Sequence, residues 1–352
     1  MRGSGRQSVT DDDRAQAQSG ICRVAVVQAS PVFLDRDATI AKGIELIRAA
    51  AAQGARIVAF PEVWVPGYPL WVYGAAGWGD EQAKRAYAQL LAQSVQVPSA
   101  ATEALSQVAV ECAAEIVMGI NEVSGGTLYN SLLYVRPTGE IAVHRKLVPT
   151  HAERIIWARS EDGSGLIVLD TEYGGLGGLI CWEHWMPLAR FAMHAQNERI
   201  HVAVWPWGYE LAHLASRHYA FEGRSFVLVA GAYMPANAVP AGFELTEAMR
   251  AGADPEGGET VMLTGGSGVV GPDGQWVAGP VHNEETIIYA DLDLDQAARE
   301  QYAMDIVGHY NRPDIFSLTV DARPRAQMSW LRGAPDPATE APVGGEAVPP
   351  AR

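Results

Sequence analysis

The stretch GGLICWEHWMPLAR, residues 177–190, decides the architecture of the chain. Its small and apolar beginning predicts a buried strand that ends at Cys181, and aromatic and charged side chains follow at once. The residues after them predict a helix over 186–197. In sheets whose strands alternate with helices, ligands collect beyond the strand ends. We therefore expect Cys181 to lie at the edge of a functional site.

Outward from this stretch, strand-like and helix-like patterns alternate along the chain. Strands are predicted at 22–28, 56–60, 116–123, 128–135, 141–145, 166–170, 175–182, 201–206, 225–232 and 286–294, with a hairpin over 267–278. Helices are predicted at 36–53, 80–94, 99–115, 186–197, 211–223 and 295–303. Because both helices and hairpins join the strands, a mixed sheet fits better than an all-parallel one. The Gly- and Pro-rich segment 235–258 is long enough to be a functional loop or an assembly insertion.

The composition excludes several classes of partner. The 352 residues are 48% hydrophobic, enough for one large or two ordinary domains. A formal net charge of −15 leaves no basic stripe for a nucleic acid. No apolar run is long enough to span a membrane, and the start of the chain lacks the apolar core of a signal peptide. Three cysteines are too few for a disulfide framework, so we expect a cytoplasmic protein.

The two ends of the chain differ in composition from the rest. The first twenty residues are polar and small, and residues 333–352 are rich in Pro, Ala and Gly. Such segments cannot bury enough apolar surface to fold. We predict disorder over residues 1–20 and a mostly disordered tail over 321–352.

Three predicted strands each lead into one reactive side chain, namely Glu62, Lys146 and Cys181. A thiol is a strong nucleophile as the thiolate, and a nearby cation and helix N-terminus lower its pKa. Lys146 supplies such a cation, and Glu62 can accept the thiol proton and return it to a leaving amine. Together the three predict nucleophilic catalysis without a histidine base.

Each of these residues also has a simpler interpretation. A lone cysteine at the end of an apolar strand is often a small core residue, which is how we interpret Cys22 and Cys112. Glu62 alone would be a surface or capping carboxylate, and Lys146 alone a solvated charge.

Sequence motifs for common cofactors and metals are absent. The chain contains no GxxxxGK[ST], GxSxG, HExxH or paired CxxC motif. Cys181, Glu183 and His184 lie close together on an extended segment, where successive side chains point in alternating directions. We therefore predict neither a cofactor nor a metal site.

Three stretches carry a family resemblance: FPEVWVPGYP (60–69), HRKLVPTHAER (144–154) and GGLICWEHWMPLAR. In order and spacing they resemble the signature segments of the nitrilase superfamily, and within it the nitrilase branch of the carbon-nitrogen hydrolases. The resemblance covers about residues 21–320. It implies one domain over that range, with an α/β fold of four α-β-β-α layers and mixed sheets.

The resemblance also implies a role for each reactive residue. Cys181 would be the nucleophile, Glu62 the general base and acid, and Lys146 the cation that stabilises the tetrahedral adduct. Glu153 would orient the lysine or the water. The implied reaction converts a small-molecule nitrile to a carboxylic acid and ammonia through a thioimidate and a thioester, without a cofactor.

Aromatic residues near these motifs are predicted to bind the substrate. They are Tyr68, Trp157, Trp182, Trp185, Trp205 and Trp207. So much indole favours an aryl or arylaliphatic nitrile, although each tryptophan alone could equally be a core or interface residue. Glu183 and His184 are interpreted as structural neighbours of the site rather than as reacting groups.

The predicted helices 186–197 and 211–223 indicate self-association. Apolar stripes on them, which include Leu188, Ala215 and Tyr219, cannot all face the core of one sandwich. In the resembling family the equivalent helices form a two-fold interface, and loop insertions extend the dimers into spirals. We expect a homodimer that assembles further, with 235–258 as the insertion.

Other functions remain open from the sequence. The same residues could hydrate a nitrile to an amide or hydrolyse an amide. A non-catalytic assembly protein would not need Glu62, Lys146, Glu153 and Cys181 all intact. A cysteine protease is disfavoured because no histidine occupies a suitable motif.

Overall fold

The computed structural model describes residues 20–325, and its elements follow the predicted alternation. The strands are β1 (Ile21–Gln28), β2 (Ile57–Ala59), β3 (Glu115–Ser124), β4 (Thr127–Val135), β5 (Ile141–Arg145), β6 (Leu169–Thr171), β7 (Gly174–Ile180), β8 (Glu198–Trp205), β9 (Phe226–Gly231), β10 (Tyr233–Pro235), β11 (Val261–Val270), β12 (Trp276–His282) and β13 (Thr286–Asp293). The helices are α1 (Arg36–Ala52), α2 (Glu81–Ala92), α3 (Ala100–Cys112), α4 (Pro187–His194), α5 (Glu210–Gly223), α6 (Thr246–Gly252) and α7 (Leu294–Glu300). Short 3-10 turns include Leu70–Tyr73, His151–Ile155 and Cys181–Trp185.

The strands form two mixed sheets, which confirms the predicted pairing. The first has the order β13-β1-β2-β3-β4-β5, in which β1, β2 and β3 run parallel and the other pairs are antiparallel. The second has the order β10-β11-β9-β8-β7-β6, with β12 paired to β11. In this second sheet β7, β8 and β9 are parallel. The strands are thus joined both by helical crossovers and by hairpins.

The two sheets pack face to face between two layers of helices. Along β1, Val24 and Val26 belong to the core shared with the second sheet, whereas Ala25 and Val27 pack with residues of α1 and α3. This alternation follows from the two-residue period of a strand. Helix α5 packs against β8 and β9 on the other side. The predicted four-layer α-β-β-α sandwich is therefore confirmed.

The segment 235–258 is more structured than a Gly- and Pro-rich loop. It contains α6, which packs against the turn Leu70–Tyr73. Leu245 and Met249, four residues apart, are both buried and anchor this helix to the protein. Gly252 lies so close to the turn that a Cβ there would be 2.5 Å from the carbonyl oxygen of Leu70.

The outer faces of α4 and α5 are partly apolar. Leu188, Leu211 and Leu214 are exposed in the single chain. Ala215 and Tyr219 are buried in the chain's own core, so the expectation that they belong to leftover apolar surface is wrong. The side of α5 that carries Ala215 and Tyr219 faces β8. The apolar pattern in the sequence does not show which side of the helix faces the sheet.

The ends of the described chain lie against the sandwich. Of the tail predicted to be mostly disordered, residues 321–325 are described, and the backbone N–H of Gly163 donates to the carbonyl of Asp321 at 3.3 Å. Residues 1–19 and 326–352, where the rest of the predicted disorder falls, lie outside the described residues. Within residues 20–325, no helix has the length and apolarity needed to cross a membrane. The cytoplasmic location stays a prediction.

Candidate active site

Glu62 lies in a tight loop just after β2. The residue that follows, Val63, has a φ of +46°, a conformation that non-glycine residues rarely adopt. The loop packs directly on β3 at Gly119, where a Cβ would lie 2.1 Å from the carbonyl oxygen of Pro61. The missing side chain at Gly119 therefore lets the loop carry Glu62 into the interior, where it is 1% exposed.

Lys146 follows β5 and is held between two carboxylates. Its Nζ lies 2.9 Å from Glu62 Oε1 and 2.9 Å and 3.1 Å from the two oxygens of Glu153. Asn130 Nδ2 donates to Glu62 Oε1 at 2.7 Å, and the Tyr68 hydroxyl donates to Glu153 Oε1 at 2.6 Å. All five side chains are buried, so each charge is held by specific partners rather than by water.

This arrangement places one cation against two acids, and the pKa values of Lys146 and Glu62 reflect it. Burial alone would lower the pKa of Lys146, but Glu153 and Glu62 outweigh it and hold that pKa well above its ordinary value. Burial raises the pKa of Glu62 to about 7, with Lys146 opposing the rise and Glu153 adding to it. Glu62 Oε2 has no hydrogen-bond partner among the described residues. This oxygen is thus available to exchange a proton near neutral pH.

Cys181 lies at a sharp turn between β7 and the 3-10 turn that it begins. Its φ is +53°, which for a cysteine is a strained, left-handed conformation. Two side chains further along hold the turn. Glu183 Oε2 accepts the backbone N–H of Ile180 at 2.7 Å, and His184 Nδ1 lies 2.7 Å from the carbonyl oxygen of Cys181.

The pKa of Cys181 is raised, not lowered as the sequence led us to expect. Burial is the main cause, and the carboxylates of Glu62 and Glu153 add to it, while Lys146 and the backbone N–H of Trp182 work against it. The expected effect of the lysine is present but smaller. The resting form is the thiol, and a base must remove its proton as the sulfur attacks.

Glu183 joins the two strand ends that carry the lysine and the cysteine. Besides the Ile180 N–H, it accepts the backbone N–H of Leu147 through Oε1 at 2.6 Å. His144 Nε2 lies 2.9 Å from its other oxygen. Glu183 is 1% exposed, so these contacts fix β5 relative to β7 beside the site.

A cavity of about 1180 Å³ opens onto Cys181 and Glu153. Three of the predicted substrate-binding residues line it, namely Tyr68, Trp182 and Trp207. The indole N–H of Trp182 donates to the Tyr209 hydroxyl at 3.0 Å, which ties together two of the aromatic walls. Most of the lining is apolar or aromatic, as expected of a small-molecule site.

The other three predicted aromatic residues do not line this cavity. Trp157 is buried behind Tyr68, with its indole N–H bonded to Asn121 Oδ1. Trp205 is completely buried, stacks on His184 and donates to Ser216 Oγ. Trp185 is 41% exposed outside the cavity. Closeness to a motif in the sequence therefore does not show whether a tryptophan lines the cavity, packs in the core or lies on the outer surface.

Comparisons with known proteins identify the family of the chain. The sequence profile of carbon-nitrogen hydrolases matches residues 23–302. The chain belongs to the carbon-nitrogen hydrolase family. It is 41% identical over 313 residues to an aliphatic nitrilase of Sinorhizobium fredii, covering 87% of this chain and 97% of that enzyme. It is 37% identical over 319 residues to an arylacetonitrilase of Aspergillus kawachii, covering 85% and 92%. The protein is a hydrolase of carbon–nitrogen bonds in the nitrilase branch.

Solved structures share the fold of this hydrolase. A CN-hydrolase superfamily protein of Xanthomonas campestris, solved with an arsenic adduct in its active site, superposes with a TM-score of 0.63 at 16% identity. The match covers 85% of this chain and 99% of that one. At this level of identity the similarity concerns the α-β-β-α sandwich and its sheets.

Several residues of the hydrolase's site were not predicted from the sequence. Asn130 lies inside β4, and nothing in its neighbourhood indicates that it contacts Glu62. Tyr73 and Tyr209 line the cavity, and Tyr73 at least belongs to the aromatic run after the first motif. Residues 251–256 form another wall of the cavity. The composition of the segment 235–258 indicated a functional loop but not this particular role. Among residues 20–325, no group of three or more His, Cys, Asp or Glu side chains could hold a metal ion.

Proposed function

We propose that this hydrolase converts an organic nitrile to the carboxylic acid and ammonia through a covalent intermediate on Cys181. The observation that carries the proposal is the buried Lys146, held between Glu62 and Glu153 beside the cavity to which Cys181 is open. A charged lysine at this depth requires both carboxylates, and a structural protein would gain little from such an arrangement.

In the first step the thiol attacks the nitrile carbon. Glu62 accepts the proton of Cys181 as the S–C bond forms, because its pKa of about 7 leaves a substantial carboxylate fraction at neutral pH. One π bond of the nitrile opens, and the proton passes from Glu62 to the nitrogen to give a thioimidate. Lys146 and the backbone N–H of Trp182 stabilise the charge that develops on that nitrogen.

In the second step water completes the hydrolysis. Glu62 accepts a proton from water as the water oxygen adds to the thioimidate carbon. Glu62 then returns this proton to the nitrogen. The hydroxyl proton of this adduct then passes through Glu62 to the nitrogen as the C–N bond breaks, so that ammonia leaves and a thioester remains. A second water cleaves the C–S bond, which releases the acid and restores the thiol. Breaking the C–S bond before the C–N bond would release the amide instead.

Glu153 and Tyr68 support the lysine rather than react. Glu153 accepts from Lys146 with both oxygens and from the Tyr68 hydroxyl and the Thr150 backbone N–H. Burial and Glu153 hold the pKa of Tyr68 well above its ordinary value, so the phenol stays a donor. Glu153 therefore fixes the position of the ammonium group.

We further propose an aryl or arylaliphatic nitrile as the substrate class. The cavity presents Tyr68, Trp182 and Trp207 close to the thiol, and aromatic side chains recognise rings by edge and face contacts. The curated relatives include both an aliphatic nitrilase and an arylacetonitrilase.

The test is a panel of aliphatic, aryl and arylaliphatic nitriles, with acid, amide and ammonia measured separately. We expect equal amounts of acid and ammonia, no hydrolysis by Cys181→Ala, and near wild-type rates in Cys112→Ala, whose sulfur lies at the end of α3. Release of mainly amide, or hydrolysis of amides alone, would contradict the nitrilase reaction. A preference for aliphatic nitriles would contradict only the substrate class.

We also propose that the protein forms a homodimer, and larger assemblies from it, through the outer helical layer. Leu188 on α4 and Leu211 and Leu214 on α5 are exposed in the single chain. On α5 they continue at a helical spacing to Phe221, which is 47% exposed. A second copy is the simplest partner for such a surface, since two-fold interfaces pair identical patches.

A further inference from the structure

A chain of buried hydrogen bonds runs away from the cysteine into the core. His184 Nδ1 lies 2.7 Å from the carbonyl oxygen of Cys181, and His184 Nε2 lies 2.9 Å from His201 Nε2. His201 Nδ1 lies 2.7 Å from Glu198 Oε1. The Tyr219 hydroxyl donates to the other oxygen of Glu198 at 2.5 Å. All four side chains are at least 97% buried.

The positions of the protons in this chain follow from its first member. A carbonyl oxygen only accepts, so His184 Nδ1 carries a proton. In a neutral ring Nε2 then accepts, which makes His201 Nε2 the donor between the two rings. The Nδ1 of a neutral His201 must in turn accept, and the proton it receives is on Glu198 Oε1.

The charges favour this neutral arrangement over an ion pair. Burial lowers the pKa of His184 to about 3 and that of His201 well below its ordinary value. Burial raises the pKa of Glu198 to about 7. The proton therefore stays on the carboxyl group up to neutral pH.

The packing around the chain makes room for it. A Cβ at Gly177 would lie 2.1 Å from Glu198 Oε1, so only glycine on β7 leaves space for the carboxyl group. Trp205 stacks on His184, and Tyr219 stacks on His201 with ring centroids 3.8 Å apart. These contacts keep the two rings in the orientation that the hydrogen bonds require.

The carbonyl held by His184 belongs to a peptide that matters for the reaction. The C=O of Cys181 and the N–H of Trp182 are two ends of one planar peptide group. That N–H opposes the rise in the pKa of the Cys181 thiol and is one of the two donors in the proposed chemistry. A hydrogen bond to the carbonyl both fixes the plane and polarises the N–H at its other end.

We infer that Glu198 acts through His201 and His184 as a positioning residue that orients the peptide between Cys181 and Trp182. The inference rests on the proposed function, since it assigns Glu198 a part in that same reaction. Glu198 touches neither the substrate nor the sulfur. Its effect is therefore on kcat, because the peptide N–H acts on the developing charge, and not on KM.

Two variants of equal chain length at position 198 test the inference. In Glu198→Gln the amide N–H can donate to His201 Nδ1 and the amide oxygen can accept from Tyr219, so both hydrogen bonds survive. Glu198→Met keeps the volume but can make neither bond. We expect kcat of Glu198→Gln to stay within about 3-fold of wild type, as for a slightly weakened neutral hydrogen bond. We expect Glu198→Met to lose about 10²-fold in kcat, as for a misplaced reacting group, with KM unchanged.

The opposite results are equally clear. Wild-type kcat in a folded Glu198→Met would overturn the inference. Equal losses in the two variants would show that a carboxylate charge, not a donated proton, matters at this position. If thermal melting shows that Glu198→Met is unfolded, ¹⁵N-histidine NMR of the wild type decides instead. A proton on Nδ1 of His184 and on Nε2 of His201 is required, and any other pattern contradicts the proposal.

An aldehyde separates this inference from the proposed function. The thiol of Cys181 adds to the carbonyl carbon of butyraldehyde, its proton moves to the oxygen, and the resulting hemithioacetal oxygen meets the same donors. Binding is read as protection of Cys181 against carbamidomethylation by iodoacetamide. We expect about 10-fold weaker protection in Glu198→Met and wild-type protection in Glu198→Gln, since one donor is misaligned only in the former. If protection is weaker only in Glu198→Met and the wild type has no activity on nitriles, the proposed reaction is contradicted and the positioning role is supported. Equal protection in all three proteins would overturn the role.

Discussion

Glu62 is the residue whose environment most directly suits the proposed chemistry. Its Oε1 accepts from Lys146 and Asn130, which leaves Oε2 for the proton of the thiol or of water. Glu62→Gln keeps the shape and removes the base. We expect kcat to fall by at least about 10²-fold, the usual contribution of a positioned acid or base. Steady-state rates on the best nitrile measure it, and a near wild-type rate would mean that another group takes the proton.

The same residue predicts the pH dependence of the reaction. Glu62 faces Lys146, Glu153 and Asn130, and burial raises its pKa to about 7. Glu62 is a base only above that pKa, so kcat/KM should fall as the pH drops below about 7. The measured value belongs to the coupled group rather than to Glu62 alone. A profile that stays flat down to pH 5 would contradict this assignment.

At the scale of residues, the sequence was enough to nominate the candidate reactive groups but not to predict their environment. Glu62, Lys146 and Cys181 could be nominated because each follows an apolar strand. The raised pKa of Cys181 could not, because burial and two carboxylates from other segments cause it. Likewise Glu198 and His201, three residues apart on β8, contact Tyr219 only after α5 has packed against that strand.

Among the elements, β5 and β7 meet at Glu183. In Glu183→Gln an amide N–H faces either the Leu147 or the Ile180 backbone N–H, and one of these buried donors is left without an acceptor. We expect a stability loss of about 1–3 kcal/mol and a lower kcat, in contrast to the mild effect of Glu198→Gln. Thermal and urea unfolding measure it, with Glu198→Gln as the matched control. Equal stability of the two variants would contradict the proposed clamp.

The pH dependence of folding stability provides a second test of the role of Glu183. Burial would raise its pKa, but His144 and the two backbone N–H groups lower it below the ordinary 4.5. A carboxylate with a lowered pKa in the folded state stabilises the fold above the pKa of the unfolded state. The stability advantage of the wild type over Glu183→Gln should therefore be full above pH ~4.5 and shrink as the pH falls further.

Element types and order could be predicted because the apolar periods of the chain are clear, whereas contacts between distant segments could not. Helix α6 was missed because Gly, Pro and Ala dominate the segment around it. Its anchors, Leu245 and Met249, become recognisable only beside the turn Leu70–Tyr73. Similarly, Trp205 and Trp182 follow strand patterns of the same kind, yet one is in the core and the other in the cavity.

For the whole molecule, the proposed dimer can be tested at positions that do not line the cavity. Leu188 and Leu214 are 68% and 55% exposed, so Asp at both disturbs no core of the single chain. Like charges would then meet across a two-fold contact, and we expect dissociation and loss of activity. Light scattering measures the mass while activity is followed. Val110→Asp is the control, since it is 54% exposed on α3 in the opposite helical layer. A wild type that is monomeric and fully active would contradict the proposal.

The central claim is that Cys181, deep in the cavity beside the buried lysine and its two carboxylates, forms a covalent bond with the substrate carbon. Intact-protein mass spectrometry during turnover of a slow nitrile, followed by peptide mapping, tests it most directly. The account predicts an added mass equal to the acyl or imidoyl group on the peptide that contains Cys181, and none in Cys181→Ala. Hydrolysis that continues in Cys181→Ala, or an adduct on Cys22 or Cys112, would contradict it.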